Sequence, residues 1–325
     1  MTSATDSRPP VVVVAGPTAA GKSGVAIDLA LELGAEIVNA DSMQVYRYLD
    51  IGTAKPSLAD RARVPHHLLD VVPPDVPYSA GRYAREARIA AAQIHARRCP
   101  VLLSGGTGLY LRAFLEGLIE DEGDPELRRA LEREAAQAVR EGDAERLHRR
   151  LIEVDRNAAA RIHPHDLRRT VRALELASRH GAPASELRAR HAFHDQPYRV
   201  LYLVLDPGRE ALDRRIDARA AAMLEAGLLR ECRALVERGY GAELRPLQAI
   251  GYRHILPVVE GRDTLVNALA AMQHDTRRFA RRQRTWFRAV RNARWLHPDD
   301  REGIAALVRA FLAASPTESY SASLR

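Results

Sequence analysis

Short, mainly apolar runs, of which the first is unbroken, alternate in the first third of the chain with longer segments whose apolar residues repeat at helical spacing. Residues 11–15, 36–40 and 100–104 form the runs. Runs of this length are typical of strands buried on both faces of a parallel sheet. We predict helices between the first two runs, as far as Leu33, and over 79–97. The alternation therefore predicts an α/β fold built on a parallel sheet.

The middle of the chain has a different pattern, in which no segment predicts a strand. From about residue 124 to 194, Ala, Arg, Glu and Leu dominate and apolar residues recur at helical spacing. A clear strand follows over 198–205, and after Pro207 helical spacing continues to about Arg291. This order predicts an all-helical domain inserted into the α/β core.

These patterns divide the chain into five segments. Residues 10–123 form the first part of the core, 124–194 the helical insertion and 195–314 the completion of the core. The polar termini, 1–9 and 315–325, are expected to be disordered.

The strongest chemical signal follows the first apolar run directly. Residues 16–23 match the pattern G-x-x-x-x-G-K-[ST], with a buried strand before them and a helix after them. Backbone N–H groups and the helix N-terminus bind a phosphate in this arrangement, and the hydroxyl of Ser23 can hold Mg²⁺. A chance glycine-rich turn is the alternative. The sequence predicts a P-loop NTPase-like core that binds a phosphate or diphosphate through Gly16, Pro17, Thr18, Ala19, Ala20, Gly21, Lys22 and Ser23.

Two further polar residues follow predicted strands. Asp41 comes after the second strand, and Thr107 lies in the glycine-rich turn 105–108 after the next. Ligands of parallel sheets bind at the carboxyl ends of the strands, so both side chains are expected near the phosphate loop. A carboxylate there can bind Mg²⁺ or act as a general base, whereas an N-cap or turn aspartate is the alternative for Asp41. A kinase more usually has an acidic residue after such a strand, and none stands in the turn 105–108.

A pair of arginines lies on a predicted helix of the last segment. Arg215 and Arg219 are four residues apart and therefore share one helix face. They can clamp a diphosphate as it gains charge. Pairing with nearby carboxylates is an equally good interpretation.

The charge balance points to a polyanionic partner. The formal net charge is +7, from 49 basic and 42 acidic residues. Only two of the basic residues are lysine, Lys22 and Lys55. A position that keeps lysine against such a bias is expected to need a compact ammonium group.

The stretch 276–294 concentrates this charge. It contains eight arginines and no acidic residue, interleaved with Phe279, Trp286 and Phe287. Guanidinium groups neutralise phosphates, and both they and aromatic rings stack on unpaired bases. We favour nucleic-acid contact, through Arg281 and Arg284 among others, over a plain solvent-exposed face.

Composition excludes several classes of protein. Two cysteines, Cys99 and Cys232, are too few for a disulfide scaffold or a Cys-rich zinc module and suggest the reducing cytoplasm. No apolar run approaches the ~20 residues needed to span a bilayer. The first ten residues have neither the basic region nor the apolar core of a secretory signal.

Taken together, these residues resemble the tRNA dimethylallyltransferase family in its bacterial form. The resemblance spans about residues 10–297 and is carried, in order, by residues 16–23, 39–46, 50–56, 65–70, 105–110, 160–164, 250–253 and 276–283. The Cys/His zinc finger of the eukaryotic members is absent. This combination of motifs is highly specific.

The resemblance implies transfer of the dimethylallyl group from its diphosphate to N6 of adenosine 37, beside the anticodon of a tRNA. Asp41 would accept a proton from N6 as general base, and Thr107 would bond the bridging oxygen of the diphosphate. The groups implied to stabilise the departing diphosphate are Lys22, Arg215, Arg219 and Mg²⁺ held at Ser23.

The resemblance also implies which residues contact tRNA. They are Asp41, Ser42, Met43, Gln44, Thr107, Arg128, Arg168, Arg169, Arg172, Gln248, Gly251, Tyr252 and Arg253. The stretch 168–172 is not a close match to the family. Partners are then the anticodon stem-loop and dimethylallyl diphosphate, with no membrane, and the enzyme is expected to be a cytoplasmic monomer. The alternatives are a kinase that uses ATP at the same loop and an RNA-binding protein with a vestigial loop.

Overall fold

A six-stranded parallel sheet forms the centre of the larger of two compact units. The computed structural model describes residues 6–118, 123–191 and 196–314. Within them the strands are β1 (Pro10–Ala15), β2 (Glu36–Asn39), β3 (His66–His67), β4 (Val101–Gly105), β5 (Arg199–Leu205) and β6 (Arg294–Leu296). Their order is β3-β2-β4-β1-β5-β6, and every neighbouring pair is parallel. The predicted fold class is confirmed.

The apolar runs form the middle of this sheet. All four valines of β1 are fully buried, and Val11 stands in register with Val101 of β4. Val11 and Val13 pack into one apolar cluster and Val12 and Val14 into another, because successive side chains of a strand point to opposite faces. Burial on both faces explains why the run shows no apolar–polar alternation.

Two strands were missed by the sequence analysis. β3 has two residues, His-His, and β6 has three, Arg-Trp-Leu. They lie at the two edges of the sheet, where short strands need no apolar run. Hydrophobic patterning therefore gave no signal for either.

Helices surround the sheet and make up the second unit. In chain order they are α1 (Lys22–Leu33), α2 (Leu58–Arg63), α3 (Ala80–Ala96), α4 (Gly108–Glu116), α5 (Pro125–Arg140), α6 (Arg146–Val154), α7 (Arg156–Ala159), α8 (Leu167–His180), α9 (Ala184–His191), α10 (Arg209–Glu225), α11 (Leu228–Glu237), α12 (Tyr252–Val259), α13 (Leu265–Arg288) and α14 (Arg301–Ala313). Among the described helices, none is long and apolar enough to cross a bilayer. The helices predicted before Gly34 and over 79–97 are confirmed as α1 and α3.

The first unit consists of residues 1–115 and 196–325, and the second of residues 116–195. The second unit contains α5 to α9, and no strand occurs among its described residues. Its core includes the fully buried Leu147 and Leu151 of α6, together with Leu174 of α8. The unit is helical because its apolar residues recur only at helical spacing.

Residues 1–9 and 315–325, at the two chain termini, were predicted to be disordered. Residues 1–5 and 315–325 lie outside the described part of the chain. Residues 6–9 are ordered, and the prediction is wrong there. Arg8 donates a hydrogen bond to the carbonyl oxygen of Gln196 (3.0 Å), and the carbonyl of Pro9 accepts one from the Arg199 amide.

Candidate active site

The turn between β1 and α1 has the backbone of a phosphate-binding loop. Gly16 has a φ of 148°, and a Cβ atom there would lie 2.5 Å from the carbonyl oxygen of Leu205. Only glycine fits here, between the end of β1 and the end of β5. Ala19 and Gly21 also have positive φ, 62° and 89°. Backbone that enters the left-handed region in this way turns successive N–H groups toward one concavity, which suits an anion at the N-terminus of α1.

Lys22 lies half-buried in the first turn of α1. Its Nζ donates a hydrogen bond to the carbonyl oxygen of Pro17 at 2.7 Å. Burial and the positive charge of Arg219 together lower the pKa of Lys22 to about 8, although the carboxylate of Asp41 acts in the opposite direction. Arg219 and Asp41, from two other elements, therefore lie close enough to Lys22 to influence its charge.

Asp41 and Thr107 follow β2 and β4 directly and lie on neighbouring turns. The Asp41 Oδ1 atom accepts a hydrogen bond from the Met43 amide at 2.8 Å. The Thr107 hydroxyl accepts one from the Ser42 amide (3.0 Å) and donates one to the Ser42 hydroxyl (3.3 Å). The two turns are thus joined through Ser42. Within the described residues the Asp41 Oδ2 atom has no hydrogen-bond partner.

The two arginines of α10 differ in their surroundings. Arg219 is half-buried, and among the described residues no carboxylate lies within ion-pair distance of it. Burial lowers its pKa, and the charge of Asp41 opposes this effect. Arg215 pairs with Asp299 at 3.2 Å, and its guanidinium would lie 3.8 Å from a Cβ atom built on Gly21. Both side chains reach the phosphate loop, and only Arg215 is neutralised by a carboxylate.

Ser23 is exposed in the first turn of α1. No group of three His, Cys, Asp or Glu side chains that could hold a metal ion occurs in the described residues. Mg²⁺ commonly uses one or two protein ligands and completes its octahedron with water and substrate phosphates. The donors present fit Mg²⁺ that binds together with a diphosphate, and they do not form an all-protein metal site.

Some predicted tRNA-contacting residues of the first unit are hydrogen-bonded inside the protein, and others have accessible side chains. The buried Gln44 amide donates to the carbonyl oxygens of Thr53 (3.1 Å) and Ala54 (3.2 Å). Ser42 and Met43 are half-buried. Gln44 therefore supports the loop that continues from Asp41.

Tyr252, the first residue of α12, lies in the interior of the protein. Its side chain is fully buried, and its hydroxyl donates to Glu231 Oε1 at 2.6 Å. It packs against Gly52, where a Cβ atom would overlap its ring. The Tyr252 side chain has no surface to offer an RNA, so its predicted contact with tRNA stays a prediction that would have to involve its backbone.

Of the predicted tRNA contacts beside Tyr252, Gln248 and Arg253 remain accessible, whereas Gly251 is buried. Gln248 is exposed, and the exposed Arg253 pairs with Asp275. Gly251 has a φ of 98° and donates its amide to His254 Nδ1 (3.3 Å). This glycine shapes the turn into α12.

The four predicted residues of the second unit also divide in two. Arg128 and Arg172 both bind Glu175, whose side chain is fully buried. Burial raises the pKa of that carboxyl, but the hydrogen bonds from the two arginines outweigh burial and hold the pKa below its usual value. Arg168 and Arg169 are exposed, and Arg169 pairs with Asp166 at 3.2 Å. The bonds to buried Glu175 stabilise the fold of this unit and occupy Arg128 and Arg172. The exposed Arg168 and Arg169 are therefore better placed to bind a polyanion.

The arginine stretch lies mostly on α13. Arg281 is exposed, whereas Arg284 pairs with Asp206, the residue after β5. Trp286 lies against Gly108, where a Cβ atom would overlap its ring. Because Arg284 is already paired inside the protein, Arg281 is the better placed of these two predicted tRNA contacts.

The sequence analysis did not single out Gln283. This side chain is 7% exposed and bonds to the Thr18 amide and the Gly106 carbonyl oxygen. The helical spacing could have indicated Gln283, because Ala280, Gln283 and Phe287 share the buried face of α13. A polar residue on such a face requires hydrogen-bond partners.

Known proteins resemble the chain over nearly its whole length. A tRNA dimethylallyltransferase of Desulfatibacillum aliphaticivorans is 46% identical, covering 94% of this chain and 99% of the relative. The crystal structure of a tRNA isopentenylpyrophosphate transferase from Bacillus halodurans is 32% identical, with a TM-score of 0.68 and coverage of 94% and 97%. A eukaryotic dimethylallyltransferase, solved while acting on tRNA, is 27% identical, with a TM-score of 0.81 and coverage of 97% and 82%.

A phosphate loop at the carboxyl edge of a parallel sheet, facing Asp41 and Thr107, defines an α/β enzyme of the P-loop class. A family model for IPP transferase matches residues 44–290, and one for isopentenyl transferase matches residues 9–68. The chain belongs to the tRNA dimethylallyltransferase family, as predicted. It is therefore a prenyltransferase, and the kinase alternative is wrong.

Proposed function

We propose that this protein transfers the dimethylallyl group of dimethylallyl diphosphate to N6 of adenosine 37 in tRNA. One observation carries the assignment of the site: Asp41 lies within electrostatic reach of both Lys22 and Arg219 at the edge where the phosphate loop ends. A carboxylate beside two cations combines a proton acceptor with groups that neutralise a polyphosphate. Family membership supplies the dimethylallyl diphosphate and the tRNA.

Asp41 is proposed as the general base. The N6 amine is a poor nucleophile because its lone pair is delocalised into the adenine ring, so it must lose a proton as it attacks. The N6–C1 bond forms, the C1–O bond to diphosphate breaks, and the proton passes to Asp41. Since Met43 already binds Oδ1, the unpartnered Oδ2 atom is the proposed acceptor.

Thr107, Lys22 and the two arginines are proposed to stabilise the departing diphosphate. The Ser42 amide holds the Thr107 oxygen in place before substrate arrives, and the hydroxyl proton would turn from the Ser42 hydroxyl to the bridging oxygen of the diphosphate. Lys22 lies at the N-terminus of α1, where amide groups and the helix dipole also favour an anion. Arg219, which has no carboxylate partner among the described residues, is the better candidate than Arg215 for a direct diphosphate contact. Mg²⁺ at Ser23, when bound, would supply further positive charge to the leaving group.

The proposed nucleic-acid partner is the anticodon stem-loop. Exposed arginines support contact with its phosphates: Arg281 on α13 and Arg168 and Arg169 on α8. Adenosine 37 would have to leave the loop stack to bring N6 to Asp41, which is only partly exposed. We propose a monomer that acts in the cytoplasm.

A single incubation tests the proposal. The protein is mixed with unmodified tRNA and dimethylallyl diphosphate labelled in the prenyl group, with Mg²⁺ and without ATP. After digestion and mass spectrometry, we expect the label in a single nucleoside, N6-dimethylallyladenosine, at position 37. A tRNA transcript with guanosine 37 is the matched control and should stay unlabelled. Transfer that requires ATP, or label at another position, would overturn the assignment.

A further inference from the structure

Gln283 connects the two loops that the proposed reaction uses, from a helix that belongs to neither. Its Oε1 atom accepts a hydrogen bond from the Thr18 amide, and its Nε2 atom donates one to the Gly106 carbonyl oxygen, both at 2.8 Å. The side chain is 7% exposed. One carboxamide thus spans the gap between the phosphate loop and the turn that carries Thr107.

The fit around this amide is close. A Cβ atom on Gly106 would lie 2.5 Å from Gln283 Nε2, so any other residue there would displace the amide. Both halves of the amide are used, one as acceptor and one as donor. A glutamate has no donor when ionised, an asparagine is one methylene shorter, and a methionine has neither group.

Helix α13 does not depend on Gln283 alone for its place. Arg284 pairs with Asp206, and Met272 and Ala280 are buried on the same helix. Attachment of the helix is therefore secured by other contacts. The specific consequence of the Gln283 bonds is a fixed separation between Thr18 and Gly106.

We propose that Gln283 is a positioning residue for prenyl transfer: it holds the phosphate loop and Thr107 in register, so that diphosphate and the breaking C–O bond are bound in one geometry. This inference rests on the proposed function, which places the diphosphate at residues 16–23 and its bridging oxygen at Thr107. Displacement of reacting groups by about 1 Å can reduce the rate of an enzyme by roughly 100-fold. The role predicted for Gln283 is therefore kinetic, with only a small contribution to binding of the RNA.

The test compares Gln283→Met and Gln283→Glu with the parent enzyme. Methionine keeps the volume without hydrogen bonds, and glutamate keeps the acceptor for Thr18 without the donor for Gly106. We expect kcat to fall by roughly 10- to 100-fold in both variants. Affinity for inorganic pyrophosphate, measured by calorimetry, should weaken by about 3- to 10-fold through the loosened loop. Affinity for tRNA should stay within about twofold of the parent, because no RNA phosphate is proposed to contact this buried amide.

Two control variants separate positioning from loss of structure. Met272→Ala removes a buried side chain from the same helix, far along it from both loops. It should lower the melting temperature and leave kcat near the parent value. Thr285→Ala removes a hydroxyl whose one bond within the described residues is to the Arg281 carbonyl of its own helix, and it should change neither kcat nor the melting temperature. All kinetic measurements are made at a temperature at which circular dichroism shows every variant to be folded.

Two results would overturn the proposal, and a third would overturn the function on which it rests. Unchanged kcat and pyrophosphate affinity in the folded Gln283 variants would mean that the residue serves only to attach α13. A loss of tRNA affinity as large as the loss of kcat would make it part of the RNA interface. If the parent transfers no prenyl group, the proposed function itself fails. The pyrophosphate affinities of the same variants then still show whether Gln283 positions the phosphate loop.

Discussion

The Nε atom of Arg284 lies 2.8 Å from Asp206 Oδ2, and both side chains are largely buried, with 21% and 10% of their surface exposed. This ion pair joins α13 to the end of β5 at the sheet edge where the candidate site lies. It also shows that the arginine stretch has two roles. Arg284 faces inward and holds the helix, whereas Arg278, Arg281, Arg282 and Arg288 are exposed.

The inward role predicts an effect on stability. Arg284→Ala leaves Asp206 with its charge but without this partner, so we expect a loss of about 1.5–3 kcal/mol of unfolding free energy. Urea denaturation followed by circular dichroism measures it. Combining Arg284→Ala with Asp206→Asn should restore part of the loss, since no unpaired carboxylate remains. Additive losses in the double variant would contradict the ion-pair explanation.

The outward role predicts an effect on RNA binding. Each phosphate contact releases counterions, so removing one lowers the magnitude of the slope of log K against log salt by about 0.7–0.9. We expect Arg278→Ala with Arg281→Ala to weaken tRNA binding and flatten this slope, with pyrophosphate affinity unchanged. Arg301→Ala with Arg309→Ala changes the net charge equally on exposed positions of α14 and serves as the control. Equal slopes for the two double variants would show that α13 is only a charged surface.

Asp41→Asn tests the general base. Asparagine keeps an oxygen that can accept from the Met43 amide, so the turn should retain its geometry. We expect kcat to fall by roughly 10²- to 10⁴-fold, the range for a lost general base, with tRNA affinity unchanged. Single-turnover measurement of prenyl transfer separates this loss from slow product release. A kcat within a few fold of the parent would remove Asp41 from this role.

The central strands and the phosphate loop could be predicted because local sequence determines them. The valines of β1 must be buried on both faces, and Gly16 and Gly21 adopt backbone conformations that favour glycine. The internal bonds of Tyr252 and Arg284 could not be predicted from the sequence, for a physical reason. Their partners, Glu231 and Asp206, lie far away in the sequence, so no local pattern separates an engaged side chain from a free one. Gln283 was overlooked because its two bonds also join residues distant in sequence.

Lys22 gives the site a predicted pH dependence. Its pKa of about 8 in the ligand-free protein means that the ammonium loses its proton near the upper end of the physiological range. The protonated form attracts a diphosphate, so affinity for inorganic pyrophosphate should fall as the pH rises through about 8. Calorimetry with the parent and with Lys22→Arg measures this, after correction for the ionisation of pyrophosphate itself. The arginine variant stays charged over this range and should show no such fall. An identical decline in both would assign the titration to another group.

Lys55, the other lysine, tests whether a compact ammonium is required where arginine is otherwise preferred. Its side chain is fully buried, and Nζ donates to the Tyr46 carbonyl oxygen (2.8 Å), Asp50 (2.7 Å) and Asp70 (2.7 Å). Three acceptors around one nitrogen suit the three donors of an ammonium, whereas a planar guanidinium needs more room and a different arrangement.

We therefore expect both Lys55→Met and Lys55→Arg to be destabilising, by about 3–5 kcal/mol for the methionine, which leaves two carboxylates facing each other. Urea denaturation measures the losses. The control is Arg61→Met, because Arg61 binds the other oxygen of Asp70 from a more exposed position and should cost less. If Lys55→Arg is as stable as the parent, the lysine reflects no steric requirement. If it is destabilised while Arg61→Met is not, the buried ammonium is what closes the loop that begins at Asp41.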